Sequence, residues 1–151
     1  MAGYLTTHVL DTARGTPAEG LLIDLYRVEG DTRTHLRSLK TNSDGRTDEQ
    51  ILPAEEFALG TYELVFHTGA YLDAMGVPPE SPRFLDMIPI RFGMSEDSHY
   101  PVPLLLSPFG YSTYRGSYAS IFAAAIPAPI RSTMKSMNNR AFGSCLRRWV
   151  N

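Results

Sequence analysis

The stretch "TYELVFHT", residues 61–68, sets Tyr62, Leu64 and Phe66 on one side of an extended chain and Glu63, Val65 and His67 on the other. A period of two residues fits a strand with one face on a core and does not fit an amphipathic helix, whose period is 3.6. Similar segments recur along the first 117 residues. "YLTTHVL" (4–10), "LLIDLYRV" (21–28) and "TRTHLRSLKT" (32–41) are rich in β-branched and aromatic types. "DMIPIRFGM" (86–94) alternates Ile88, Ile90 and Phe92 against Pro89 and Arg91, and "HYPVPLLLSPFGYST" (99–113) supplies two more strands about a turn. Gly, Pro, Asn and Asp punctuate the joins, as in "DTARGTPAEG" (11–20) and "NSDGRTDE" (42–49), where Asp44-Gly45 offers an easy positive φ just before Arg46. "AYLDAMG" (70–76), closed by Gly76, is the one short helical candidate in this region. Seven or eight short strands and a single helical turn predict an all-β protein, an antiparallel β-sandwich.

Charge divides the chain at Ser117. All 16 acidic residues lie between Asp11 and Asp97; nine basic residues accompany them, so residues 1–117 carry −7. Residues 118–151 hold five basic and no acidic residues, +5, with the only Trp and the only Cys. The reading is one domain over 1–117 followed by an atypical extension over 118–151, weakly ordered because its Ala run is cut by Pro127 and Pro129. A negative body does not attract nucleic acid, and the cations of the extension are too scattered to form a patch. The apolar runs are too short to span a membrane, no basic-then-apolar leader opens the chain, and Cys145 alone forms no internal disulfide. These features predict a soluble cytoplasmic protein.

Candidate chemistry is sparse. The four histidines, His8, His35, His67 and His99, share no recognisable metal-ligand spacing, and a Ser-His-Asp triad lacks a nucleophile elbow. Any one of them, taken alone, reads as an ordinary half-exposed strand histidine more readily than as a catalytic group.

Two long motifs go further. "LTTHVLDTARGTPAEGL" (5–21) and "SPFGYSTYRGS" (107–117) resemble the two signature stretches of the transthyretin-like 5-hydroxyisourate hydrolases. The arginine of "TNSDGRT" (41–47) and the strand "RFLDMIPIRF" (83–92) resemble the same family at the expected places. The resemblance implies a transthyretin-like sandwich of two four-stranded antiparallel sheets, assembled as a homotetramer with its active sites in a channel at the dimer–dimer interface. It implies cofactor-independent, metal-free opening of the 5-hydroxyisourate ring. His8 and Arg46 match residues of that site, Tyr114 and Ser117 match the ends of its terminal Tyr-Arg-Gly-Ser, and His99 is a further candidate. The expected roles are catalysis by His8, Arg46, Ser117 and His99, and substrate binding by His8, Arg46 and Tyr114. An imidazole can take up a proton near neutral pH, and a guanidinium can hold an anionic edge or a developing oxyanion. Arg115 is equally suited to pairing with an acidic neighbour at the surface.

The sequence departs from the family twice. Pro101 stands where the family strand usually reads His-Tyr-His-Val-Pro, with a catalytic second histidine, and 34 residues follow Ser117, where the family usually ends. Alternation puts His99, Pro101 and Pro103 on one face, and a strand at an edge or interface tolerates two prolines whose missing donors share one side. The expectation is a slow hydrolase with His8 carrying most of the acid–base work; the alternative is a non-catalytic ligand-binding or interaction protein on the same sandwich.

Overall fold

A computed structural model of the chain describes residues 3–116. The expectation for residues 118–151, and the placement of Ser117, lie outside the described residues. In chain order the elements are β1 (Tyr4–Asp11), β2 (Thr16–Pro17), β3 (Leu22–Glu29), β4 (Thr32–Lys40), β5 (Gly60–His67), α1 (Thr68–Ala74), β6 (Met87–Met94), β7 (His99–Ser107) and β8 (Gly110–Thr113). They form two four-stranded sheets, β2-β1-β7-β8 and β4-β3-β5-β6.

The inward faces follow the alternation. Leu5 and Val9 of β1 meet Tyr100, Val102, Leu104 and Leu106 of β7 across the core from Ile23, Leu25, Tyr62, Leu64, Phe66, Ile88 and Ile90. Side chains from two inner faces interdigitate in this way whenever half-apolar sheets stack. Helix α1 adds Tyr71 and Leu72 and closes at Gly76, whose φ of 75° suits the left-handed end of a helix. Tyr71 donates a 2.8 Å hydrogen bond to the buried carboxylate of Asp11, tying the helix to β1.

Three details differ from the simplest reading of the pattern. β1 and β7 pair in parallel, with Tyr4 opposite His99 and Asp11 opposite Leu106; no hairpin joins strands so distant in sequence, so no turn fixes their direction. "DTARGTPAEG" contains the two-residue strand β2, paired to Leu10 and Asp11. Glu63, on the outward face of β5, is buried as well. Arg33 of β4 and Arg91 of β6 close over its carboxylate at 2.7 and 3.0 Å.

β7 lies inside its sheet rather than at an edge, so its prolines need another explanation. Within a strand the N and C=O of one residue point to the same side. The carbonyl of Pro101 accepts from Gly116 N at 2.8 Å, and that of Pro103 from Thr113 Oγ1 at 2.8 Å. Both missing donors therefore face the β8 side. There β8 pairs only from Leu104 onward, leaving the proline stretch to the irregular segment that follows. The prolines shorten β8 and leave the β1 ladder whole.

Candidate functional site

The outward face of the first sheet carries the site. Tyr4, Thr6 and His8 alternate along β1, and the parallel register sets them opposite His99, Pro101 and Pro103 of β7. Beside them lies the loop 41–48, organised by Asn42. The Asn42 side-chain oxygen accepts from Asp44 N (2.9 Å) and Arg46 N (3.2 Å), and its backbone N donates to Arg46 O (2.7 Å). This Asx-type turn is docked on β1 by a 2.8 Å bond from Val9 N to Gly45 O. Sequence order thus places Arg46 against His8 through a single hydrogen-bonded turn.

His8 is buried, and its ring donates to the Asp44 backbone carbonyl. Burial first, and the Arg46 guanidinium second, push its pKa down to about 3, although the Asp44 bond opposes them. At neutral pH His8 is therefore a neutral ring, a hydrogen-bonding group more than a strong base. Arg46 is exposed, and its charge acts on both His8 and His99.

His99 stacks on Tyr4 with ring centroids 4.0 Å apart and planes 9° from parallel, and its Nε2 is 2.7 Å from Thr6 Oγ1. Burial, then Arg115 and Arg46, hold its pKa below the usual histidine range. Tyr114 is half-buried, which raises its phenol above the ordinary value. Arg115 lies over the Tyr100 ring at 4.0 Å, donates to Ser98 Oγ at 3.0 Å and pairs with Glu96 at 3.4 Å, so it has the acidic neighbour its surface position suggested. Gly116 packs against Pro101, where a Cβ would approach the proline ring to 2.9 Å.

The other two histidines sit on the second sheet. His67 Nε2 lies 2.7 Å from Asp24 Oδ2, and His35 Nε2 lies 3.4 Å from Asp24 Oδ1 and 2.9 Å from Ser38 Oγ. Burial tends to raise the Asp24 carboxyl, but bonds from Ser38, His67 and His35 outweigh it and hold the group below the usual range. Ser38 and Asp24 meet the same nitrogen of His35, so the three do not form a nucleophilic relay, which needs base and orienter on opposite ring nitrogens. Among the described residues no group of three or more His, Cys, Asp and Glu is placed to hold a metal ion. No helix among them is long and apolar enough to cross a membrane.

The structure therefore brings His8, Arg46 and His99 together at the outward face of the first sheet, with Arg115 and Gly116 against β7, and leaves His35 and His67 on the second sheet. Sequence reasoning missed Thr6, Tyr4 and Asn42. The first two share the alternation that contains His8, and Asn42 carries the Asx signal of a turn.

Comparison with known proteins places the described residues in a family. The HIUase/Transthyretin family model matches residues 5–116. A 5-hydroxyisourate hydrolase of Rhizobium meliloti is 62% identical over 117 residues, 77% of this chain and 98% of that protein. The structure of Klebsiella pneumoniae 5-hydroxyisourate hydrolase matches with a TM-score of 0.64 at 36% identity, covering 76% of this chain and 94% of that one. The crystal structure of (S)-allantoin synthase matches with a TM-score of 0.70 at 44% identity, covering 76% of this chain and 44% of that longer one. The chain is a member of the HIUase/Transthyretin family.

Proposed function

We propose that this protein hydrolyses 5-hydroxyisourate, opening its six-membered ring in urate degradation as a soluble cytoplasmic enzyme without metal or cofactor. The observation that carries the reading is the docking of Arg46 beside a buried, neutral His8 on one sheet face, in a chain so similar to a protein named for this activity. Arg46 grips the acceptor-rich edge of the substrate and meets the charge that develops on the attacked carbonyl oxygen. His8 donates to Asp44 from one ring nitrogen, and its other nitrogen orients water or substrate. Tyr114 borders the substrate, Ser117 positions the water, and His99 supplies a second proton-transfer group. Following the absorbance of freshly generated 5-hydroxyisourate tests the reading: decay is expected to be faster with protein than in buffer alone, and equal rates would refute it.

The working form is a homotetramer with the site facing a channel between dimers. β8 is one edge of the first sheet and β6 one edge of the second. Exposed Phe84 and Phe109 touch there, with ring centroids 6.2 Å apart, and Met87 and Tyr111 are exposed on the same two strands. Such an apolar edge suits pairing with a second copy. Sedimentation should give four times the chain mass; a monomer at micromolar concentration would contradict it.

Residues 118–151 are proposed to be dispensable. A chain stopped after Ser117 is expected to fold, assemble and turn over at least as fast as the full chain, measured by sedimentation and kcat. Loss of assembly on truncation would assign the extension to an interface.

Pro101 faces the same side as His8 and His99 and lies opposite Thr6. A histidine there would add a proton-transfer group beside the site while its carbonyl still accepts from Gly116. Pro101→His is expected to raise kcat by about tenfold to a thousandfold, no more than one well-placed proton-transfer group can contribute. An unchanged rate would show that the parent already has all the proton transfer it uses.

A further inference from the structure

We propose that Thr6 conducts the proton between the site and His99, making it a catalytic residue for the hydrolysis. The inference rests on the ring-opening reading above. Along the outward face, Thr6 stands between Tyr4 and His8 on β1, opposite Pro101, while the pairs on either side are Tyr4–His99 and His8–Pro103. The two prolines offer no side-chain donor or acceptor. Of these six residues, the Thr6 hydroxyl is the group that lies between the two imidazoles, and it is 2.7 Å from His99 Nε2.

The surroundings fix His99 for this role. Its ring is stacked on Tyr4, which holds its plane, and its charged neighbours are cationic: Arg115 from the segment after β8 and Arg46 from the turn beside β1. The nearby acids are otherwise engaged, Glu96 with Arg115 and Asp97 with the Gly3 backbone N. Burial and the two arginines therefore keep His99 neutral near pH 7, with one ring nitrogen able to accept a proton from Thr6. His8, which is more deeply buried and pushed down to about 3, is the poorer acceptor of the two.

A threonine hydroxyl can receive one proton while passing on its own, so no charge rests on it. As the water oxygen bonds to the ring carbonyl carbon, the water proton moves to Thr6 Oγ1 and the threonine proton moves to His99 Nε2. As the C–N bond breaks, the transfers reverse and the proton goes to the leaving nitrogen. One water is consumed, and both side chains return to their starting states.

The test is the kcat–pH profile of full-length Thr6→Val, Thr6→Ser, His99→Asn and the Thr6→Val/His99→Asn double variant, with thermal unfolding as a folding control. Thr6→Val is expected to lower kcat by about tenfold to a thousandfold with little change in KM, while Thr6→Ser stays within about threefold of the parent. His99→Asn and the double variant should match Thr6→Val, because residues acting as one unit are not additive. The parent kcat should fall at acid pH, as His99 takes up a proton and can no longer accept one, and Thr6→Val should lose that limb. A Thr6→Val enzyme with the parent kcat and parent acid limb, or a double variant showing both losses in full, overturns the relay. If this occurs while Arg46→Ala is inactive, the hydrolase reading stands and the relay alone falls; a parent that does not turn over the substrate overturns both.

Discussion

Arg46→Ala is expected to lower kcat/KM for 5-hydroxyisourate by about a hundredfold or more, the usual consequence of removing a group that meets developing oxyanion charge. The fold should be nearly indifferent. Arg46 is exposed, and its backbone, which would be unchanged, makes the bonds to Asn42 that organise the turn. A change of about 1 kcal/mol or less in unfolding free energy is expected for such a surface site. Lysine should restore little, since a point charge cannot reproduce a planar bidentate grip. Burial remains the larger cause of the low His8 pKa, so the histidine should stay mostly neutral at pH 7 in the variant, and the loss can be read as that of the cation. Near-parental kinetics in Arg46→Ala would remove this residue from the site.

Gly45→Ala should be costly in both stability and activity. Gly45 is buried, with a φ of 74°, a region in which an L side chain costs about 1–2 kcal/mol. An added Cβ would also press into the Val9 carbonyl oxygen and come within 3.1 Å of Pro17 Cβ. That oxygen cannot easily retreat, because it accepts from Ala18 N at 2.9 Å. Together these effects should cost about 3 kcal/mol or more, in the range of the severe single substitutions. The only relief is movement of the turn away from β1, which carries Asp44 off His8 and Arg46 off the site. Turnover should therefore fall along with the denaturation midpoint. Gly76→Ala is the control: its φ is similar at 75° but a Cβ there meets nothing within 4 Å, so about 1 kcal/mol and unchanged kinetics are expected. Equal effects at the two glycines would show that the turn is not clamped to β1.

Much of this architecture is written locally in the chain. The alternation of Tyr62, Leu64 and Phe66 names the core face of β5, and Gly76 marks the end of α1 within a residue or two. Features set by distant partners are not legible in that way. Glu63 reads as an exposed position until Arg33 of β4, two strands away, and Arg91 of the neighbouring β6 close over it and bury it. Nothing near Pro101 says that its strand is central, because that depends on β1, more than ninety residues earlier, pairing with β7 in parallel. The candidate site follows the same division. Family resemblance singles out His8 and Arg46, and the Asx turn at Asn42 gives their proximity a physical cause. That His99 belongs with His8, while His35 and His67 gather around Asp24, depends on sheet register and cannot be read from any one segment.

The central claim is that the Arg46–His8 face performs ring-opening hydrolysis. It is tested most directly by monitoring the absorbance decay of freshly generated 5-hydroxyisourate in parallel samples of buffer, the full-length protein and Arg46→Ala. Decay is expected to be accelerated by the protein and to return nearly to the buffer rate in the variant. Decay in the presence of the full-length protein that is no faster than in buffer would contradict the account.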